Sequence, residues 1–385
     1  MNIAYLYPWD VVGDPSAPGR LADLGVQAVA LAVSYHSTRA ATPYHPDHRV
    51  LDVPYPAFYL PIRRPAWGRL VPAAPTWTPA DAYLQARDAL KAVGLQVHAW
   101  TVLTHNSHLG GANPDLVVRN AFGDPYPYAL CPAHENVLDY CERLVREVLE
   151  VAEPDGLILE ACGPMGFGHQ SVHEKTSGAD WTSVHADLLS LCFCAACAPR
   201  YPDATRGRVR AAIDGTTPTS LTGTPDAASP PGTVEDALGS LSDKVRAVRL
   251  ALSDTLRRRL IAVARQTAPD VPITLHANPD PWAAGAFAPL PSGEPGADVL
   301  VANCWGEPAA DAARLRRLKE LATPTQRTGA YVLALPPRPA DATTIADHLA
   351  TYAEAGATEF HLYHAGLASP QRLTALSKAL RLRKP

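Results

Sequence analysis

The stretch DGLILEACG, Asp155 to Gly163, runs from a turn residue through Gly156, Leu157, Ile158 and Leu159 into Glu160. Consecutive apolar residues with no polar alternation read as a strand buried on both faces, the habit of parallel sheets covered by helices. A glutamate ending such a strand is costly unless it has a partner or a task. The fold then depends on whether similar strands recur with helices between them.

They recur. Ile3 to Tyr7, Ala28 to Val33, Gln96 to Leu103, Ile273 to Ala277, Val299 to Ala302, Ala330 to Leu335 and Glu359 to Tyr363 bring the strand candidates to eight. Between them lie segments of helical spacing. In HENVLDYCERLVREVLEV the residues Val137, Leu138, Cys141, Leu144, Val145, Val148 and Leu149 share one face, and burial is the expected fate of Cys141. Similar patterns cover Pro79 to Val93, Leu241 to Ala264, Ala309 to Leu321, Ala342 to Ala355 and Ser369 to Leu382, and Gly94 and Gly356 stop two of them. Eight strand-then-helix units predict an α/β fold, a (β/α)₈ TIM barrel, as a single domain over residues 1–385.

Two stretches break the rhythm. Asp47 to Thr78 is rich in Pro, Trp and Tyr and predicts a long ordered loop after strand two, with Trp67 and Trp77 either capping a pocket or anchoring the loop. Thr216 to Thr233, within the long strand-four connection, has almost no large apolar residues and reads as a flexible insertion. The net charge of −4, without a basic run, gives no nucleic-acid footprint. The N-terminal MNIAYLYPWD has no charged leader or long apolar segment, so a cytoplasmic protein with a small-molecule partner and no membrane is expected; self-association stays open.

Seven cysteines in 385 residues include three within LCFCAACAPRY, at Cys192, Cys194 and Cys197. That spacing brings three thiolates within reach of one ion, and a closed structural Zn²⁺ site takes four ligands. Cys131, in YALCPAHENVLDY, leaves the strand-three loop beside the strand-four loop that carries the cluster.

The Cys-Pro of the strand-three loop, the glutamate ending strand four and the Cys-x-Cys-x-x-Cys after it resemble the zinc-bearing TIM-barrel β-galactosidases over roughly 113–201. The chain also resembles glycosidase-like barrels of actinobacteria with LCP and CFCxxC signatures. The resemblance implies Cys131, Cys192, Cys194 and Cys197 as ligands of a structural zinc, with Cys162 as substitute fourth; its place near Glu160 also suits a pocket wall. It implies a glycosidase as well. Two departures are visible: Leu159 stands where those enzymes carry Asn before the glutamate, and strand seven ends in Leu335-Pro336-Pro337 with no acid.

In a TIM barrel the reactive groups sit at the C-terminal ends of the strands and in the loops after them. Those ends offer Asp10, Tyr35, His36, His105, Asn106, Glu160, His276, Asn278, Asp280, Cys304, Trp305, Glu307, Tyr363 and His364. Aromatic faces suit pyranose C–H surfaces, amides and imidazoles suit hydroxyls, and a carboxyl protonates the leaving oxygen or attacks the anomeric carbon. Glu160 is the expected acid/base, with a pKa raised by burial and its side chain near His105, His276 and Tyr363. The second catalytic carboxylate is sought at Glu307, then Asp280, then Asp10.

His169, His173, Glu174 and His185 raise the rival of a catalytic metal. The glycines around them favour a loop in which His169 and His173 touch substrate. The expected protein is a glycoside hydrolase acting on a small carbohydrate or glycoconjugate. The alternatives are a sugar or sugar-acid lyase or isomerase with a histidine base, and a non-catalytic carbohydrate-binding barrel.

Overall fold

The computed structural model describes residues 1–168, 175–215, 231–290 and 296–382. Eight strands appear where the apolar runs predict them: β1 (Asn2–Leu6), β2 (Ala28–Tyr35), β3 (Gln96–Val102), β4 (Gly156–Glu160), β5 (Ile273–Asn278), β6 (Val299–Cys304), β7 (Arg327–Leu333) and β8 (Glu359–Tyr363). They pair in parallel, in the order β1-β8-β7-β6-β5-β4-β3-β2, and β2 pairs back onto β1. The sheet is therefore a closed (β/α)₈ TIM barrel without free edges.

Helices α1 (Ala17–Leu24), α2 (Ala82–Lys91), α3 (Glu135–Glu147), α4 (Ser242–Thr267), α5 (Pro308–Leu321) and α6 (Ala342–Glu354) connect the strands, and α7 (Pro370–Leu382) follows β8. On α3 the predicted face, Cys141 included, is buried. Helix α1 is short and carries Pro18 and Gly19 in its first turn, so its periodicity is weak; Gly25, at φ 90°, closes it. Between β5 and β6 the described residues contain no helix, only the short strand Ala288–Pro289 pairing with β5.

The interior of the barrel departs from the apolar rule. Register places Gly156 of β4 opposite His98 of β3 and Tyr331 of β7 opposite His361 of β8, and β1 sets Ile3 beside that same His361. Residues two apart on a strand share a face, so Tyr5, His98, Trp100, Glu160, His276, Tyr331, Glu359, His361 and Tyr363 all project inward. Small residues make the room. A Cβ on Gly156 would lie 2.7 Å from the His98 ring, and one on Gly329 3.2 Å from the His361 ring; β2 contributes the fully buried Ala28 and Ala30 level with Ile3 and Tyr5.

The expected long loops after β2 and β4 are present, and a third follows β3. After β2, Thr38–Ala41 pairs with Val50–Val53 and Ala57–Phe58 runs antiparallel to β2. Trp67 packs edge-on against Phe58, and Trp77 against Tyr55, so both anchor the loop. After β3 come helix Ser107–Ala112 and the hairpin of Val117–Arg119 with Pro125–Leu130. The β4 loop holds helices Ser183–Leu189, Thr205–Ile213 and Val234–Leu238. Of the insertion expected at 216–233, residues 216–230 lie outside the described residues. Among the described residues no helix is long and apolar enough to cross a membrane.

Candidate active site

Glu160, last residue of β4, is 5% exposed. Trp100, one inward layer below on β3, donates its indole N–H to Oε2 at 2.7 Å. His276, level with it on β5, brings Nδ1 to 3.2 Å from the same oxygen. Burial alone would push this carboxyl up. The bond and charge of His276, the Trp100 N–H and the charge of His36 outweigh it and hold Glu160 below the ordinary glutamate value. The raised pKa expected from the sequence is corrected: an apolar strand reveals burial but not the donors supplied by two other strands.

Above the carboxylate opens a cleft of about 800 Å³, within the range of small-molecule sites. Glu160 and Trp100 form part of its wall with Tyr35, Tyr331, Tyr363 and Trp305. Trp305 is 37% exposed, and its ring stacks on Tyr331 at 5.4 Å and 16° and contacts Tyr363 at 4.9 Å. On the opposite wall His36 stacks on Tyr35 at 4.1 Å and on His105 at 4.4 Å. Asn278, Asn303, Arg39 and Arg314 add polar groups. Among the described residues lining the cleft, Glu160 is the only carboxylate.

Of the residues singled out in the sequence, Tyr35, His36, His105, Glu160, Asn278, Trp305 and Tyr363 meet at this cleft. His276 contacts Glu160 from the neighbouring strand and has no exposed surface. The remaining residues lie elsewhere. Asn106 caps helix Ser107–Ala112, its Oδ1 accepting the Leu109 N–H at 2.9 Å. His364 is buried against Tyr7 at 4.3 Å, and burial lowers its pKa to about 3. Asp10 accepts the Tyr7 N–H at 2.8 Å and lies against Gly366; burial raises its pKa to about 7, against the pull of the Tyr7 N–H and Arg20.

Neither Asp280 nor Glu307 is among the described residues lining the cleft. Asp280 is exposed and accepts the Trp282 N–H at 2.9 Å in a turn. Glu307 is exposed just before α5. His169, His173 and Glu174 lie outside the described residues. The sequence reading missed Tyr331 and the donor Trp100. Both sit at inward positions two or more residues before a strand end, and a search limited to strand ends passes over them.

Cys131, Cys192, Cys194 and Cys197 come together as four buried thiols whose sulfurs all lie within 4.8 Å of one another. Cys131 Sγ is 3.5 Å from Cys197, 3.7 Å from Cys192 and 3.7 Å from Cys194. Disulfide bonds are near 2.05 Å, so these are separate thiols. A regular tetrahedron with metal–sulfur bonds of about 2.3 Å has edges of about 3.8 Å, and the cluster fits a single metal ion. The Cys192, Cys194 and Cys197 sulfurs, with burial, push the Cys131 thiol well above its ordinary value. A cation removes that repulsion. Cys162 is not part of the group.

The cluster closes one loop on another. Cys131 ends the hairpin of the β3 loop, Phe193 N–H bonds Arg119 O at 2.6 Å, and the Tyr126 and Tyr128 hydroxyls donate to Leu189 O and Gly166 O at 2.9 and 3.0 Å. His105, at the root of the β3 loop, bridges to Ala129 of that hairpin.

In fold the chain is similar to α-L-fucosidase isoenzyme 2 from Paenibacillus thiaminolyticus, with a TM-score of 0.57 and 12% identity over 99% of this chain and 49% of that one. It is similar to the PgaB (BpsB) glycoside hydrolase domain from Bordetella bronchiseptica, with a TM-score of 0.56 and 16% identity over 100% and 99% of the two chains. A β-galactosidase from Bacillus circulans sp. alkalophilus gives a TM-score of 0.54 and 10% identity over 99% and 55%. The chain thus spans about half the length of the fucosidase and the galactosidase. No protein-family model and no curated protein sequence matches it. At these identities the likeness establishes the fold alone, a TIM barrel shared with these three proteins.

The depressed pKa of Glu160 makes a signed prediction. Such a group contributes stability that is present above its unfolded pKa and lost as pH falls through the folded value. Trp100→Phe removes one donor to the ionised form, and should lower unfolding stability near pH 7 by about 1.5–3 kcal/mol, the scale of a hydrogen bond to a charged group. The deficit should shrink as pH falls below about 4. Urea denaturation across that range measures it; a deficit independent of pH would assign the loss to packing alone.

Proposed function

We propose that the protein is a glycoside hydrolase whose cleft holds a small carbohydrate or glycoconjugate over Glu160. One observation carries the reading: a buried carboxylate at the floor of an aromatic cleft, at the C-terminal mouth of the barrel. Trp305 and Tyr363 offer faces for a pyranose ring, while Asn278 and Asn303 offer hydroxyl partners. The fold shared with glycoside hydrolases supports the same class.

The low proton affinity of Glu160 shapes its part. It enters as a carboxylate, facing the positive charge that develops at the anomeric carbon and taking a proton from water. The proton for the leaving oxygen then comes from His36 or His105, the imidazoles that share the cleft. A structural zinc on Cys131, Cys192, Cys194 and Cys197 would hold the β4 loop against the β3 loop, whose root carries His105 into the cleft. The absence of a second carboxylate among the described cleft residues favours one alternative, a barrel that binds carbohydrate without cleaving it.

A panel of nitrophenyl glycosides tests turnover. On a glycoside that is cleaved, Glu160→Gln should lower kcat by at least about a hundredfold, the scale of positioned proton transfer, with binding by calorimetry retained. Binding without turnover in the unaltered protein would select the binding barrel. Unchanged turnover in the variant would remove Glu160 from the chemistry.

Metal analysis of purified protein should find about one zinc per chain, with Zn–S distances near about 2.3 Å by X-ray absorption. Cys194→Ser should release the ion and lower the melting temperature while leaving Glu160 in place. Full stability of metal-free protein would contradict the assignment.

A further inference from the structure

The inner face of the barrel carries a line of titratable groups beyond the cleft. His276 lies between Glu160, 3.2 Å from its Nδ1, and the Tyr5 hydroxyl, 2.9 Å from its Nε2. The same hydroxyl is 3.0 Å from Nδ1 of His361, whose Nε2 is 3.6 Å from Oε2 of Glu359. Glu359 pairs at 3.0 Å with Arg327, whose side chain is half exposed at the start of β7. Tyr5, His276 and His361 have no exposed surface. The line therefore runs inside the barrel from the C-terminal mouth to the opposite end.

Proton counting makes these groups one unit. Each outer imidazole nitrogen lies against a carboxylate oxygen, at 3.2 Å for His276 and, beyond hydrogen-bond distance, at 3.6 Å for His361, and neither nitrogen has a hydrogen-bond partner among the described residues. An ionised carboxylate repels a bare nitrogen lone pair and attracts an N–H, so each outer nitrogen carries hydrogen while both carboxylates are ionised. Tyr5 has one hydroxyl proton, so it donates to one imidazole and accepts from the other. One of the two histidines then holds two protons and a positive charge. Charge passes between them when the cationic ring gives its inner proton to the Tyr5 oxygen and the former Tyr5 proton moves to the second ring. One N–H and one O–H bond break, one of each forms, and no other reactant is needed.

We propose that Tyr5 and His361 are positioning residues that couple the ionisation of Glu160 to Glu359 at the far end of the barrel, by passing one proton between His276 and His361. With the proton on His276, Glu160 is held as a carboxylate. With it on His361, His276 is neutral and Glu160 takes up a proton more readily. At the mouth His36, Tyr35, Tyr331 and Tyr363 also face Glu160. At the far end His98, Arg327 and the Met1 ammonium face His361 and Glu359. The proposal deepens the hydrolase reading, because it says what sets the form in which Glu160 meets a substrate.

Carbon-13 NMR of protein labelled at the glutamate carboxyls reads Glu160 without substrate, its resonance assigned with Glu160→Gln. Glu359→Gln removes the far-end charge and sends the proton to His276. The Glu160 midpoint should fall by at least about one pH unit, and by less than half as much when Tyr5→Phe is added, since only the screened through-space part survives. An equal fall with and without Tyr5→Phe would overturn the relay. Arg327→Met lies at the half-exposed end and leaves the core intact. Its removal of positive charge should draw the proton to His361, moving the nitrogen-15 shifts of the His276 and His361 rings in opposite directions. A change confined to His361 would overturn the proposal. Loss of turnover in Glu160→Gln bears on the hydrolase reading alone.

Discussion

A carboxylate buried on the inner face of a parallel barrel has to be met by donors, because the desolvation of an unpaired charge exceeds what packing returns. Glu160 is met from two neighbouring strands, by Trp100 of β3 and His276 of β5. That pairing dictates much of what surrounds it. His276 needs Tyr5, Tyr5 needs His361, and His361 lies against Glu359. Rings of this size fit inside an eight-stranded barrel because Gly156, Gly329, Ala28 and Ala30 leave their places empty.

The loops solve a different problem. They must present Trp305, His36 and His105 at fixed positions while running far from the hydrogen-bonded sheet. Aromatic packing fixes the β2 loop, through Trp67 and Trp77. The β3 and β4 loops instead meet at four cysteines, where one ion would replace thiol repulsion with four bonds. The two devices are separate, and the four cysteines are not among the described residues lining the cleft.

The barrel was legible because strands buried on both faces write themselves as apolar runs, and all eight appear close to where those runs fall. The cysteine cluster was legible from spacing and from the adjacency of consecutive loops. The floor of the cleft was half legible. Glu160 stands out as a charge in an apolar run, but Glu359 and His361 alternate with Phe360 and Leu362 and pass as an ordinary strand. Only closure of the sheet turns that two-residue step into a shared inner face. Asp280 and Glu307 show a related point: position just after a strand end does not fix direction, and both are exposed and outside the described cleft lining, Asp280 in a turn.

The central claim is that an ionised Glu160 lies beneath a bound sugar ring. It is tested most directly by crystals soaked with fuco-, galacto- and gluco-configured iminosugars, whose protonated ring nitrogen resembles the charge of an oxocarbenium ion. The account predicts one of them in the cleft, stacked on Trp305, with its nitrogen within about 3 Å of the Glu160 carboxylate. A ligand ordered elsewhere on the barrel, or seated in the cleft with its nitrogen turned away from Glu160, would contradict it.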